Sequence, residues 1–314
     1  MRVPTMMRAV TLLCSFFAAG AHVAHAQVFR SSVDMVGLTV TVTDARGREI
    51  TGLTPDNFAV YEDGVQQQVS LFGSEKVPLD VALVIDTSSS MHAVHPVVKR
   101  GACALLGKLR DGDRGLVVDV KQRIQIRAGL DADLSHVVRS INSLSTDGST
   151  ALYDGLYMSL QEFARERRQR PEIRRQALVV FSDGLNNASH VRFEDVSELA
   201  RALDVTIYTI MLNDGQLSQA IARDVHVARA AWEMRALTLD TGGRAFFPIK
   251  AGELAAIYDT IARELVNQYT LAYVAPPARP KQALRRISVS LLPPVQGVPR
   301  TRTSYVTNQP AGNR

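Results

Sequence analysis

Leu79-Asp80-Val81-Ala82-Leu83-Val84-Ile85-Asp86-Thr87-Ser88-Ser89-Ser90-Met91 is a nearly unbroken apolar run that stops at a carboxylate, with hydroxyls at alternate positions beyond it. A short, β-branched run of this kind predicts a strand buried on both faces, as in a parallel sheet. Asp86, Ser88 and Ser90 then fall on the loop at its C-terminal end, where open α/β sheets bind their ligands. One carboxylate with two neutral hydroxyls is an all-oxygen, low-charge set. It suits a hard divalent cation such as Mg²⁺ better than zinc.

Two later segments extend the pattern. Gln176-Ala177-Leu178-Val179-Val180-Phe181-Ser182-Asp183-Gly184 predicts a second buried strand ending in a carboxylate, and Asp147-Gly148-Ser149-Thr150 places another hydroxyl before an apolar helix. On these residues the chain resembles a von Willebrand factor type A domain. That family's metal-ion-dependent adhesion site combines an Asp-x-Ser-x-Ser loop, a Thr on a second loop and an Asp on a third. The matching positions here are Asp86, Ser88, Ser90, Thr150 and Asp183, and none departs from the pattern. The resemblance implies Mg²⁺ as the resident ion, with Mn²⁺ or Ca²⁺ as alternatives. It also implies capture of an Asp or Glu side chain from a partner protein, toward which the N–H groups opening the helix after Thr150 are expected to point. The competing reading is a degenerate loop that merely caps the sheet.

From 79 to 267 strands and helices alternate, which predicts a doubly wound, mainly parallel sheet with helices on both faces. Helices are expected over His95–Arg110, Leu134–Leu144, Ala151–Gln169, Phe193–Leu203, Leu217–Thr241 (with a break near Trp232) and Gly252–Asn267. Strands are expected over Gly115–Val120, Ile124–Ala128, Thr206–Leu212 and Arg244–Phe247, the first two close enough to form an antiparallel edge hairpin. Residues 27–78 and 268–314 are β-rich instead. Val33–Thr43, Phe58–Gln66 around an Asp63-Gly64 turn, and Val69–Phe72 continuing that hairpin lie at one end; Tyr269–Val274, Arg286–Leu291 and Thr303–Val306 lie at the other. Neither end supplies a sheet large enough for its own core. The economical arrangement is one small β-sandwich built from both, with two separate decorations as the rival. The same layout is similar to the exported bacterial group described as VWFA-related.

Residues 1–26 read as a secretory signal peptide: Arg2 and Arg8, the apolar stretch Ala9–Ala21, then Ala24-His25-Ala26 before a cut at Gln27. The apolar core is shorter than the roughly 20 residues of a membrane span, and Leu13 argues against lipidation of Cys14. The expected product is extracytoplasmic, periplasmic or released. Losing two arginines and no acids lowers the net charge from +5 to +3, too small a surplus to point to nucleic acid. Cys103 is then the sole cysteine, read as a half-buried thiol in an apolar helical stripe. The dense basic run Arg165–Arg175 reads as a solvated helix end stopped by Pro171, or else as a contact for an anionic envelope surface.

An enzyme is the reading from another class, with Asp86 beside hydroxyls in a metal-assisted hydrolase. Such a site needs an oriented base. The nearest by sequence, His92 and His95, are read as exposed residues at a helix start. No nucleophile elbow, phosphate-binding loop or zinc spacing appears, so binding is favoured over catalysis. A structural envelope protein whose metal site does not function is the remaining alternative.

Overall fold

The computed structural model describes residues 35–74, 77–170, 172–212, 225–248, 250–276 and 284–306; the expected signal peptide lies outside them. The run quoted above becomes β5 (Leu79–Asp86), buried at every position. It lies parallel between β6 (Arg114–Val120) and β8 (Arg175–Ser182). β9 (Val205–Met211) and the short β10 (Ala245–Phe246) extend the sheet on one side, and β7 (Gln125–Asp131) closes the other as an antiparallel edge, giving the order β10-β9-β8-β5-β6-β7. The strand period of two divides the core. Leu79, Val81, Leu83 and Ile85 face α1 (His95–Leu106), α2 (Leu134–Asn142) and α6 (Leu254–Val266). Ala82 and Val84 face α3 (Leu152–Gln169), α4 (Phe193–Ala202) and α5 (Val225–Asp240).

Two antiparallel four-stranded sheets complete the fold. One has the order β13-β1-β11-β4 and the other β14-β12-β2-β3. Their members are β1 (Met35–Thr43), β2 (Phe58–Glu62), β3 (Val65–Gln67), β4 (Val69–Ser74), β11 (Tyr269–Val274), β12 (Leu284–Leu291), β13 (Val298–Arg300) and β14 (Ser304–Val306). β1 pairs with β11, and β2 with β12, so each sheet needs strands from both ends of the chain. Leu38, Val40, Phe58, Tyr269, Leu271 and Ile287 meet in one core between them. Asp63 and Gly64, both at positive φ, make the tight turn of the β2–β3 hairpin.

The structure departs from the sequence reading at two places, adds a strand, and closes one open point. Val69–Phe72 does not continue that hairpin: β4 crosses to the other sheet and pairs with β11. β13 was not expected, since Pro299 at its centre masks the strand signal; it is an edge strand, where a missing N–H costs little. α5 runs through Trp232 without a break, because Trp232 is exposed while Ala230, Ala231, Met234 and Leu237 turn inward. The basic run is not simply a solvated face. Arg174 and Arg114 together hold the fully buried Asp80, and Arg175 is buried, donating to Leu265 O at 2.6 Å. A buried carboxylate is tolerable only when paired in this way.

Candidate metal centre

Parallel pairing in register, with Ile85 opposite Phe181, brings the C-terminal ends of β5 and β8 side by side. Asp86 is the last residue of β5 and is fully buried. Its Oδ1 accepts the Ser88 N–H at 2.9 Å, and its Oδ2 accepts the Ser182 hydroxyl at 2.7 Å. The Ser88 and Ser90 hydroxyls stand 3.1 Å apart, one buried and the other exposed. Asp183 begins the loop after β8, and its Oδ1 accepts Leu185 N–H at 3.0 Å. Gly184 makes the turn possible. Its φ is +84°, and a Cβ there would meet Met211 Cε at 2.1 Å.

Thr150 is buried on the neighbouring loop and is held from both sides by Asn187. The Asn187 side-chain oxygen accepts Thr150 N–H at 2.9 Å, while Thr150 O accepts Asn187 N–H at 3.1 Å. The Thr150 loop also grips the first one: Ser89 N–H donates to Gly148 O, and Asp147 N–H to Thr87 O. The Thr87 hydroxyl turns away and donates to the buried Asp119. The three loops thus brace one another through hydrogen bonds spanning tens of residues.

Burial, chiefly, and the Asp183 charge next push the Asp86 carboxyl up to about 6, against the hydrogen bonds from Ser88 and Ser182. Two carboxylates that repel each other beside neutral hydroxyls form a site that a hard divalent cation fits. Among the described residues no group of three or more His, Cys, Asp or Glu gathers as a metal site. The groups gathered here are carboxylate and hydroxyl oxygens.

The helix start after Thr150 departs from expectation. Leu152 N–H donates to Asn186 Oδ1, and the Tyr153 and Asp154 N–H groups share Ser189 Oγ. The first turn of α3 is therefore capped by the Asp183 loop and does not offer those groups to an anion. Asp154 receives His190 and Val191 N–H, and Tyr153 OH donates to Glu233, so both are engaged in local packing. His92 is exposed and bonds Thr146 Oγ1 at 2.9 Å, but His95, the first residue of α1, is buried, contrary to the sequence reading. Cys103 is half-buried and free, its thiol pushed up by burial. Sequence reasoning missed Ser182, Asn186, Asn187 and Ser189; the run of polar residues flanking Asp183-Gly184 was the available signal.

Residues 81–186 match the family profile of the von Willebrand factor type A domain. The uncharacterized protein sll0103 of Synechocystis is 28% identical over 144 residues, covering 44% of this chain and 33% of that protein; the chain spans about a third of the length of that curated relative. Among solved structures, a von Willebrand factor type A protein from Catenulispora acidiphila is 11% identical, covering 89% of this chain and 76% of that one, with a TM-score of 0.48. The vWF domain of the type V pili tip protein Mfa5 from Porphyromonas gingivalis is 16% identical over 60% of this chain and 94% of its own, with a TM-score of 0.46.

Proposed function

With a von Willebrand factor type A domain at residues 81–186 as the premise, we propose that this chain recognises a partner protein through a divalent cation, Mg²⁺ foremost. Asp86, Ser88, Ser90, Thr150 and Asp183 would hold the ion. When bound, the ion supplies a positive charge and a coordination position for an Asp or Glu side chain of the partner. The carrying observation is the buried Asp86 carboxylate, held by Ser88 and Ser182 yet repelled by Asp183. These two hydrogen bonds hold the Asp86 carboxylate at the end of β5. Recognition is favoured over hydrolysis because no described His or Glu is hydrogen-bonded to these five residues as an oriented base.

The export signal read in residues 1–26 would place this recognition outside the cytoplasm; no described helix is long and apolar enough to cross a membrane. Intact mass of the protein from its native host tests the cut before Gln27. Titration calorimetry with Mg²⁺ tests the site itself. The wild-type chain should bind and the Asp86→Ala and Asp183→Ala variants should not. A pull-down of envelope proteins with Mg²⁺ against chelator then tests the role, and undiminished Mg²⁺ binding in Asp86→Ala defeats the assignment.

A further inference from the structure

A cleft of about 580 Å³ adjoins the candidate metal centre at the turn between β6 and β7. Lys121, Arg123 and Gln125 line it together with Asp147, Gly148 and His190. It is continuous with the metal loops through the backbone. Ala151 N–H donates to Lys121 O at 3.0 Å, one residue from Thr150, and Gly148 O accepts Ser89 N–H inside the Asp-x-Ser-x-Ser loop. The cleft's charge is one-sided. Asp147 is its one acid and is paired with Lys121 at 3.1 Å, while Arg123 is exposed and makes no ion pair with any described residue. His190 is exposed, its Nδ1 3.2 Å from Asp154 Oδ2.

From this arrangement we propose that the cleft takes a second carboxylate from the same partner segment, so that the ligand is an acidic peptide stretch and not a lone Asp or Glu. The inference rests on the metal reading above. One carboxylate goes to the cation, and the next falls on Lys121 and Arg123, exchanging with or adding to the Asp147 pair. Gly148, between the two subsites in sequence, has open space where a Cβ would stand. Arg123 is exposed, so the second contact adds modest affinity that salt weakens. It becomes effective because the first contact raises its local concentration.

The test uses the full chain, labelled with nitrogen-15, and synthetic glycine peptides carrying either one Asp or two Asp separated by one, two or three glycines. With Mg²⁺ at low salt, the best two-acid peptide should bind about fivefold tighter than the one-acid peptide. Amide shifts at residues 121–125 should appear only with the second carboxylate. The gain should disappear in Lys121→Gln/Arg123→Gln, whose fold is checked by its amide spectrum because the Lys121 side chain is only 18% exposed, and should increase in Asp147→Asn, which removes the Lys121 ion pair. A gain that survives the double variant, or no gain at any spacing, overturns the proposal. The one-acid peptide separates the two readings. If it binds equally in Mg²⁺ and in chelator, the metal reading fails and the linked subsite with it. If it needs Mg²⁺ while the second Asp adds nothing, the cleft assignment alone fails.

Discussion

The Ser182 hydroxyl donates to Asp86 Oδ2 at 2.7 Å, tying the ends of two neighbouring strands together through a fully buried carboxylate. Ser182 Oγ also accepts Gly184 N–H at 3.0 Å, so one hydroxyl positions both Asp86 and the turn that carries Asp183. Ser182→Ala should remove a hydrogen bond to a charged group, worth about 1.5 kcal/mol or more. Mg²⁺ affinity by calorimetry should fall roughly tenfold, with the fold intact by circular dichroism. Unchanged affinity would mean that Ser182 has no share in holding Asp86.

Asp86→Asn removes the repulsion with Asp183 and the cost of a buried charge. At neutral pH the metal-free variant should be more stable than wild type, by up to roughly 3 kcal/mol given a carboxyl raised from 3.8 to about 6. Mg²⁺ should raise the wild-type melting temperature, by an amount equivalent to about 2.7 kcal/mol at a hundredfold excess over the dissociation constant, and leave the variant unmoved. Scanning calorimetry with Mg²⁺ and with chelator reads both effects. Global unfolding of wild type on chelation would instead make the ion structural.

Among the groups that set the pH dependence of the metal-free protein, Asp86 and His95 act in opposite directions. Asp86 binds a proton more readily folded than unfolded, so its contribution is full below pH 3.8 and is lost as pH rises through about 6. Burial foremost, then Lys99, pushes His95 from 6.5 down to about 4. Its contribution is full above pH 6.5 and is lost as pH falls through about 4. Between about pH 4 and 6 these two slopes oppose each other. Urea unfolding in chelator should show their sum nearly flat across that window, while Asp86→Asn should lose stability steadily on acidification, up to roughly 3 kcal/mol. A variant whose profile matches wild type would contradict this pairing.

α1 and α6 meet at Gly101 and Tyr258. A Cβ at Gly101 would lie 1.6 Å from Tyr258 Cε2, so Gly101→Ala must push the helices apart. Overpacking of this kind costs at least about 1–3 kcal/mol. Tyr258→Phe should behave differently. Among the described residues its buried hydroxyl finds no hydrogen-bond partner, so losing it should be neutral or stabilise by about 1 kcal/mol. Thermal melts of the two variants distinguish a steric limit from a polar one, and a clear loss in Tyr258→Phe would contradict the packing described.

The nearly unbroken apolar run of β5 and the carboxylates ending or following β5 and β8 were legible because burial on two faces writes itself into consecutive residues. The antiparallel β6–β7 edge was legible from proximity in sequence for the same local reason. Tertiary structure alone decided what the polar residues do. Asn187 reaches Thr150 across 37 positions, Ser182 reaches Asp86 across 96, and Asn186 and Ser189 cap a helix begun on another loop. The burial of Arg175 and His95 and the transfer of β4 to the second sheet depend likewise on partners distant in the chain. Apolar periodicity reports which face of an element is dry. A polar side chain carries no such period, and its role is set by whichever donor or acceptor the completed fold brings within hydrogen-bonding distance.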